Sequence, residues 1–178
     1  MAQKFSGLDS RSIALGGILA AGSLVVLYLA CIAPSGRFGL AALAGLFPVA
    51  GVLAAGRTVG YLCWFAAGVL GLILLPEKGI PLLYLLFFGL YPVVKSRIES
   101  IRRQSVECLL KLICFNMALT VSWFALRAMI MPAPPAWLVN NLALLYLGGN
   151  LVFLAYDFGL SKLIAVLQTR LRLGRRFG

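Results

Sequence analysis

Two groups of polar residues in this chain are of types, and at spacings, that can do chemistry. The first lies late, inside apolar sequence. Asn116, Thr120, Trp123 and Arg127 fall at i, i+4, i+7 and i+11, which is one stripe of a helix. Tyr146, Asn150, Phe153 and Asp157 repeat that stripe, with Asn140 and Asn141 shortly before it. Two neighbouring helices can turn such stripes toward one cleft. Amides, aromatic rings and a single cation then make a small-molecule pocket, mostly apolar with a few placed polar groups. Arg127 is placed to meet a carboxylate or phosphate. Lying about one turn before Pro132, it is also placed to snorkel to lipid headgroups. The asparagines can instead hydrogen-bond to each other between helices.

The second group is the charged end of FGLYPVVKSRIESIRRQ, residues 88–104. It brings Lys95, Arg97, Glu99, Arg102 and Arg103 together after a long apolar run. Val94, Ile98 and Ile101 share a face there, which reads as a short amphipathic, interfacial stretch over 95–106. Its expected role is to anchor the chain on anionic headgroups. Asp157 is expected to form a structural ion pair, with Lys162, Lys95 or Arg97 as its partner. The sharper reading of Asp157 is a coupling-ion or proton site.

Enzyme chemistry has little to build on. There is no histidine, so His general bases and the usual zinc sites are excluded. The four cysteines, Cys31, Cys63, Cys108 and Cys114, form no CxxC pair. No paired-carboxylate motif or Gly-rich phosphate loop is present. We expect no catalytic residues, no metal and no cofactor.

The elements that must position these residues are membrane helices. Hydrophobic residues make up 62% of the 178, and mean hydropathy is +0.99. Ordinary soluble domains sit near ~45–50% apolar. The apolar blocks approach the ~20 residues a helix needs to cross hydrocarbon. Six spans are expected, at about 13–32, 38–55, 59–75, 80–94, 107–131 and 137–160, with breaks at Pro and Gly. A basic tail follows over 162–178. The connections leave no room for a soluble domain, so the chain reads as one all-α, polytopic membrane bundle.

Net charge is +11. With the N-terminus inside, only Arg37, Lys78 and Arg127 of the 16 basic residues fall outside. The positive-inside rule therefore predicts both termini in the cytoplasm of a plasma-membrane protein. The same rule accounts for the charge without nucleic acid. Membrane lipids are the expected surroundings.

Small residues let helices approach closely in a membrane. Gly16/Ala20 and Gly17/Ala21 are two such pairs in SIALGGILAAGSLVVLYLA. They serve either packing within the bundle or a partner subunit. RFGLAALAGLFPVAGVLAAGRTVGYLCWFAAGVLG is rich in small residues throughout. With the span count, both ends inside and the late polar stripes, these runs resemble the substrate-binding S components of energy-coupling factor transporters. The resemblance covers about residues 12–170. It implies high-affinity capture of a vitamin-like small molecule from outside. It also implies a coupling transmembrane subunit and ATPase subunits as partners. Gly16, Gly17, Ala20 and Ala21 would be the face for the coupling subunit. A rod-shape-determining type of bacterial membrane scaffold has a similar span count and is the alternative.

Overall fold

A computed structural model describes residues 9–101, 103–130, 139 and 141–174. Among these, every regular element is helical. The order is α1 (Ser10–Ile32), α2 (Arg37–Ala44), α3 (Leu46–Ala55), α4 (Arg57–Leu74), α5 (Gly79–Leu83), a π-helical turn (Tyr84–Phe88) and α6 (Leu90–Ile98). A 3-10 turn (Glu99–Ile101), α7 (Gln104–Phe124), α8 (Arg127–Ile130) and α9 (Leu142–Gly174) follow. Six stretches are long and apolar enough to cross a membrane: Ser10–Ile32, Arg37–Ala55, Arg57–Leu74, Gly79–Ile98, Ser105–Phe124 and Leu142–Thr169. Large apolar side chains such as Ile18, Ile73, Leu147 and Leu151 lie exposed along them. Water rarely tolerates so much apolar surface. The chain is a multi-pass helical membrane protein.

Helix ends follow the local chemistry. Ala33 turns extended before Pro34, and Leu75 does so before Pro76. Gly36 (φ 73°) and Gly56 (φ 95°) take left-handed turns open to a residue without Cβ. Arg37 donates from Nε to the Ala30 carbonyl (3.3 Å) and from Nη2 to that of Cys31 (3.2 Å), satisfying the end of α1. Lys78 does the same for α4 at the Leu75 carbonyl, 2.7 Å away. Arg37 also pairs with Glu77. We call this the Arg37 end. The opposite end carries Arg57, whose Nη2 donates to the Ser96 carbonyl at 3.1 Å.

The fourth span is central. Over its most apolar stretch 56% of residues are buried, against 6% for the fifth span and 11% for the sixth. α1, α3 and α4 pack tightly on one another, and α7 and α9 stand to one side. Glycines permit the closest approaches. A Cβ on Gly45 would lie 2.1 Å from the Phe88 carbonyl oxygen, and one on Gly79 would lie 2.2 Å from that of Met129. Gly45 also separates α2 from α3, so the second span is broken rather than one straight helix. In the π turn, Gly89 N donates five residues back to Tyr84 O at 2.8 Å. Ser23 Oγ bonds the Ala44 carbonyl (3.1 Å) and Tyr84 Oη (3.0 Å), joining α1, α2 and this turn.

Several expectations change. The fourth span runs to Ile98, so Lys95 and Arg97 belong to it and not to an interfacial segment over 95–106. Ile98 is buried. The helix continues because Lys95 finds acceptors on neighbouring helices. The fifth span stops at Phe124, and α8 resumes after a break at Ala125–Leu126. The sixth begins at Leu142 and continues through much of the expected tail. The two small-residue pairs separate. Gly16 and Ala20 are buried, and a Cβ on Gly16 would come 3.2 Å from Val59 Cγ1 of α4. Gly17 and Ala21, about 100° further round the helix, are exposed.

Candidate functional site

The two polar stripes face each other, and their middle residues bond to each other. Asn116 Nδ2 donates to Asn150 Oδ1 (3.0 Å), and Asn150 Nδ2 donates to Asn116 Oδ1 (3.1 Å). Their remaining amide hydrogens go to the carbonyls of Leu112 (2.8 Å) and Tyr146 (2.7 Å) one turn back. The Thr120 hydroxyl bonds that of Tyr146 at 2.8 Å. These groups hold α7 against α9, and the amide hydrogens of both asparagines are all taken within the protein. Trp123 and Arg127 do not join them. The break before α8 turns Arg127 over the Trp123 ring, 5.4 Å from its centre. Asn141 sits at the start of α9, its carbonyl accepting from Leu144 N (3.0 Å). Asn140 lies outside the described residues. Of the eight residues expected from spacing, Asn116, Thr120, Tyr146 and Asn150 come together, and Trp123 and Arg127 form a separate contact. Replacing the amide pair together, Asn116→Leu/Asn150→Leu, should weaken α7–α9 pairing by only about 1 kcal/mol. Thermal unfolding in nanodiscs checks this, with ligand binding left intact.

A cavity of about 330 Å³ lies beside this pair, toward the Arg37 end. Phe38, Gly39 and Ala42 of α2, Leu83 of α5, Phe87 and Phe88 of the π turn, Phe115, Ala118, Leu119 and Ser122 of α7, and Gly149, Val152, Phe153 and Tyr156 of α9 line it. Local packing explains it. α2 rests on α1, α5 and the π turn, while α7 rests on α9 and α6, and the cavity opens where these groups part. Gly149 brings α9 close to α7, a Cβ there falling 3.1 Å from Leu119 Cδ2. The walls interlock as aromatic pairs. Phe115 and Phe153 stack at 4.5 Å, and Phe87 meets Tyr91, Phe115, Phe153 and Tyr156 at centroid distances of 5.1 to 6.0 Å. Ser122 and Tyr156 are among the lining residues, but the cavity surface is almost wholly apolar. The Tyr156 hydroxyl is enclosed and has no hydrogen-bond partner among the described residues.

Toward the Arg57 end, beyond the aromatic wall, lies a partly buried ionic network. Lys95, fully buried, pairs with Asp157 Oδ1 and donates to Ser161 Oγ (2.8 Å); Glu99 Oε1 lies 3.2 Å away. Tyr91 Oη donates to Asp157 Oδ1 at 2.5 Å. Lys111 reaches Glu107 (2.6 Å), Glu99 (3.2 Å) and Asp157 Oδ2 (3.4 Å). Two lysines and three carboxylates thus join α6, its following turn, α7 and α9. Of the partners expected for Asp157, Lys95 is found, and the Asp157–Lys162 pair is corrected. Residues five apart lie about 140° round a helix. Lys162 sits instead over the Phe158 ring at 5.4 Å.

Sequence reading missed both the aromatic cavity and Lys111. A signal existed for the network: Lys95 and Glu99, and Glu107 and Lys111, are i, i+4 pairs. Nothing in the spacing marks the cavity, because its walls come from five separate elements. No protein-family model, curated protein or solved structure matches the chain.

Proposed function

We propose that this chain is a membrane-embedded binding subunit that captures a small molecule in the cavity between α2, the π turn, α7 and α9. The observation that supports the reading is the cavity itself. Its volume of about 330 Å³ lies at the small end of ligand sites, which run ~300–1,000 Å³. Its position toward the Arg37 end is the outer side if the basic residues face the cytoplasm. Release inward would be driven by a coupling subunit and ATPases, as in the S components the sequence resembles. The exposed Gly17/Ala21 face of α1 is the surface such a coupling helix would take.

The test is thermal unfolding of the purified protein with vitamins, nucleobases, amino acids and neutral aromatic compounds. A ligand at 100 times its Kd should add about 2.7 kcal/mol of stability. Gly39→Leu should abolish that shift. A Cβ on Gly39 meets nothing within 4 Å, so the new side chain can fill the mouth without a backbone clash. ATPase subunits should co-purify from native membranes. No shift with any compound, together with no ATPase, overturns the reading.

A further inference from the structure

We infer that the cavity takes the flat, uncharged hydrocarbon portion of its ligand, about two rings in size, and admits no hydrogen-bonding group. This rests on reading the cavity as the binding site and names the chemical class it accepts. The walls carry the first argument. No charged side chain lines the cavity, and its surface is almost wholly apolar even though Ser122 and Tyr156 are among its residues. The Tyr156 hydroxyl is enclosed in the protein and is not offered to a guest. A charged solute would leave its hydration behind and meet no counter-ion. A hydroxyl or amide would meet no partner. Both losses are unfavourable.

The charges nearby do not change this. Asp157 follows Tyr156 in sequence, but Lys95, Lys111 and Tyr91 engage its carboxylate. Tyr91 stacks on Phe87 at 5.1 Å and meets the Phe153 ring edge-on at 5.2 Å, so rings stand between the cavity and the ionic network. Apolar cavities of this kind stay dry, and one of about 150 Å³ holds benzene. This cavity has about 330 Å³, room for about two rings on the same scale. The walls also favour rings over a lipid chain. Phe115 and Phe153 form a stacked pair, and Phe87 stands at 70° and 64° to them, so both faces and edges meet a flat guest.

Trifluoromethylphenyl diazirine is a suitable probe: one ring, no charge, no hydrogen-bond donor, and photochemical attachment to nearby groups. With the full chain in nanodiscs, it should label α7 and α9 saturably around Phe115 and Phe153. Naphthalene should displace it. Compared at equal concentration in the bilayer, naphthol should compete about five- to thirty-fold less well, the scale of one hydroxyl left without a partner. Decane should also compete less well than naphthalene. Gly39→Leu should remove the saturable labelling. Leu83→Ala shortens a wall residue, so it should shift the preference from naphthalene toward anthracene. That variant keeps the test alive should Gly39→Leu fail to fold. Labelling that never saturates overturns the proposal. So does equal competition by naphthol, or by decane, which would mark a lipid chain as the occupant. If a polar compound binds and is lost in Gly39→Leu while naphthalene does not compete, the ligand class is wrong and the binding subunit stands. If naphthalene binds as described while no ATPase co-purifies, the ligand class stands and the coupled uptake falls.

Discussion

Lys95→Met should be among the most destabilising single substitutions in this protein, by about 3–5 kcal/mol. Lys95 is fully buried, and its ammonium faces the Asp157 carboxylate, Ser161 and Glu99. Removing it leaves Asp157 with Tyr91 and the longer contact to Lys111 at 3.4 Å. The loss is mainly the carboxylate left under-compensated in a low-dielectric setting. Glu99 matters less, since it is more exposed and keeps Lys111. The double variant Lys95→Met/Asp157→Leu should therefore recover much of the stability. Lys111 would still hold Glu99 and Glu107. Tyr91 would lose its acceptor, so recovery should be partial and should improve when Tyr91→Phe is added. Thermal unfolding of the four proteins in one lipid composition checks this. A double variant no more stable than Lys95→Met would sink the pairing account.

Gly45→Ala should destabilise by about 3 kcal/mol, the upper part of the range for overpacking. The new methyl would lie 2.1 Å from the Phe88 carbonyl oxygen. That atom is backbone, inside a π turn pinned by Gly89 N to Tyr84 O and by Trp64 Nε1 to Leu85 O at 3.2 Å. It cannot rotate away as a side chain would. Relief requires α2 and the π turn to separate, which shifts Phe87 and Phe88 and deforms the cavity they line. Ligand binding should fall along with stability. Gly17→Ala is the control. Nothing lies within 4 Å of its Cβ, and alanine is the better helix former. It should melt at or above the parent temperature.

Some of this was legible in sequence. Each apolar block satisfies its own backbone hydrogen bonds by becoming a helix, whatever its neighbours do. Span number and approximate limits therefore follow from local composition and from Pro34, Gly56, Pro76 and similar breaks. The helical stripes of Asn116–Thr120 and Tyr146–Asn150 were also readable, because 3.6-residue periodicity is local. Their meeting was foreseen, but not its consequence. Two matched asparagines exchange a pair of hydrogen bonds when their helices pack at that register, and their other amide hydrogens go to their own helices.

Lys95 shows the limit most clearly. In sequence it is the first charge after an apolar run, which is how a water boundary looks. Its burial depends on Asp157 and Ser161, more than sixty residues later, arriving at the same depth. The sequence by itself determined a multi-pass helical bundle, its spans and its polar stripes, since all of these rest on interactions within a turn or two of helix. The tertiary structure decided which polar groups neutralise one another, which small pair on α1 stays exposed, and where an aromatic cavity is left. Those outcomes depend on the rotation and closeness of whole helices, set by contacts such as Gly45 against Phe88, and no periodicity within one helix encodes them.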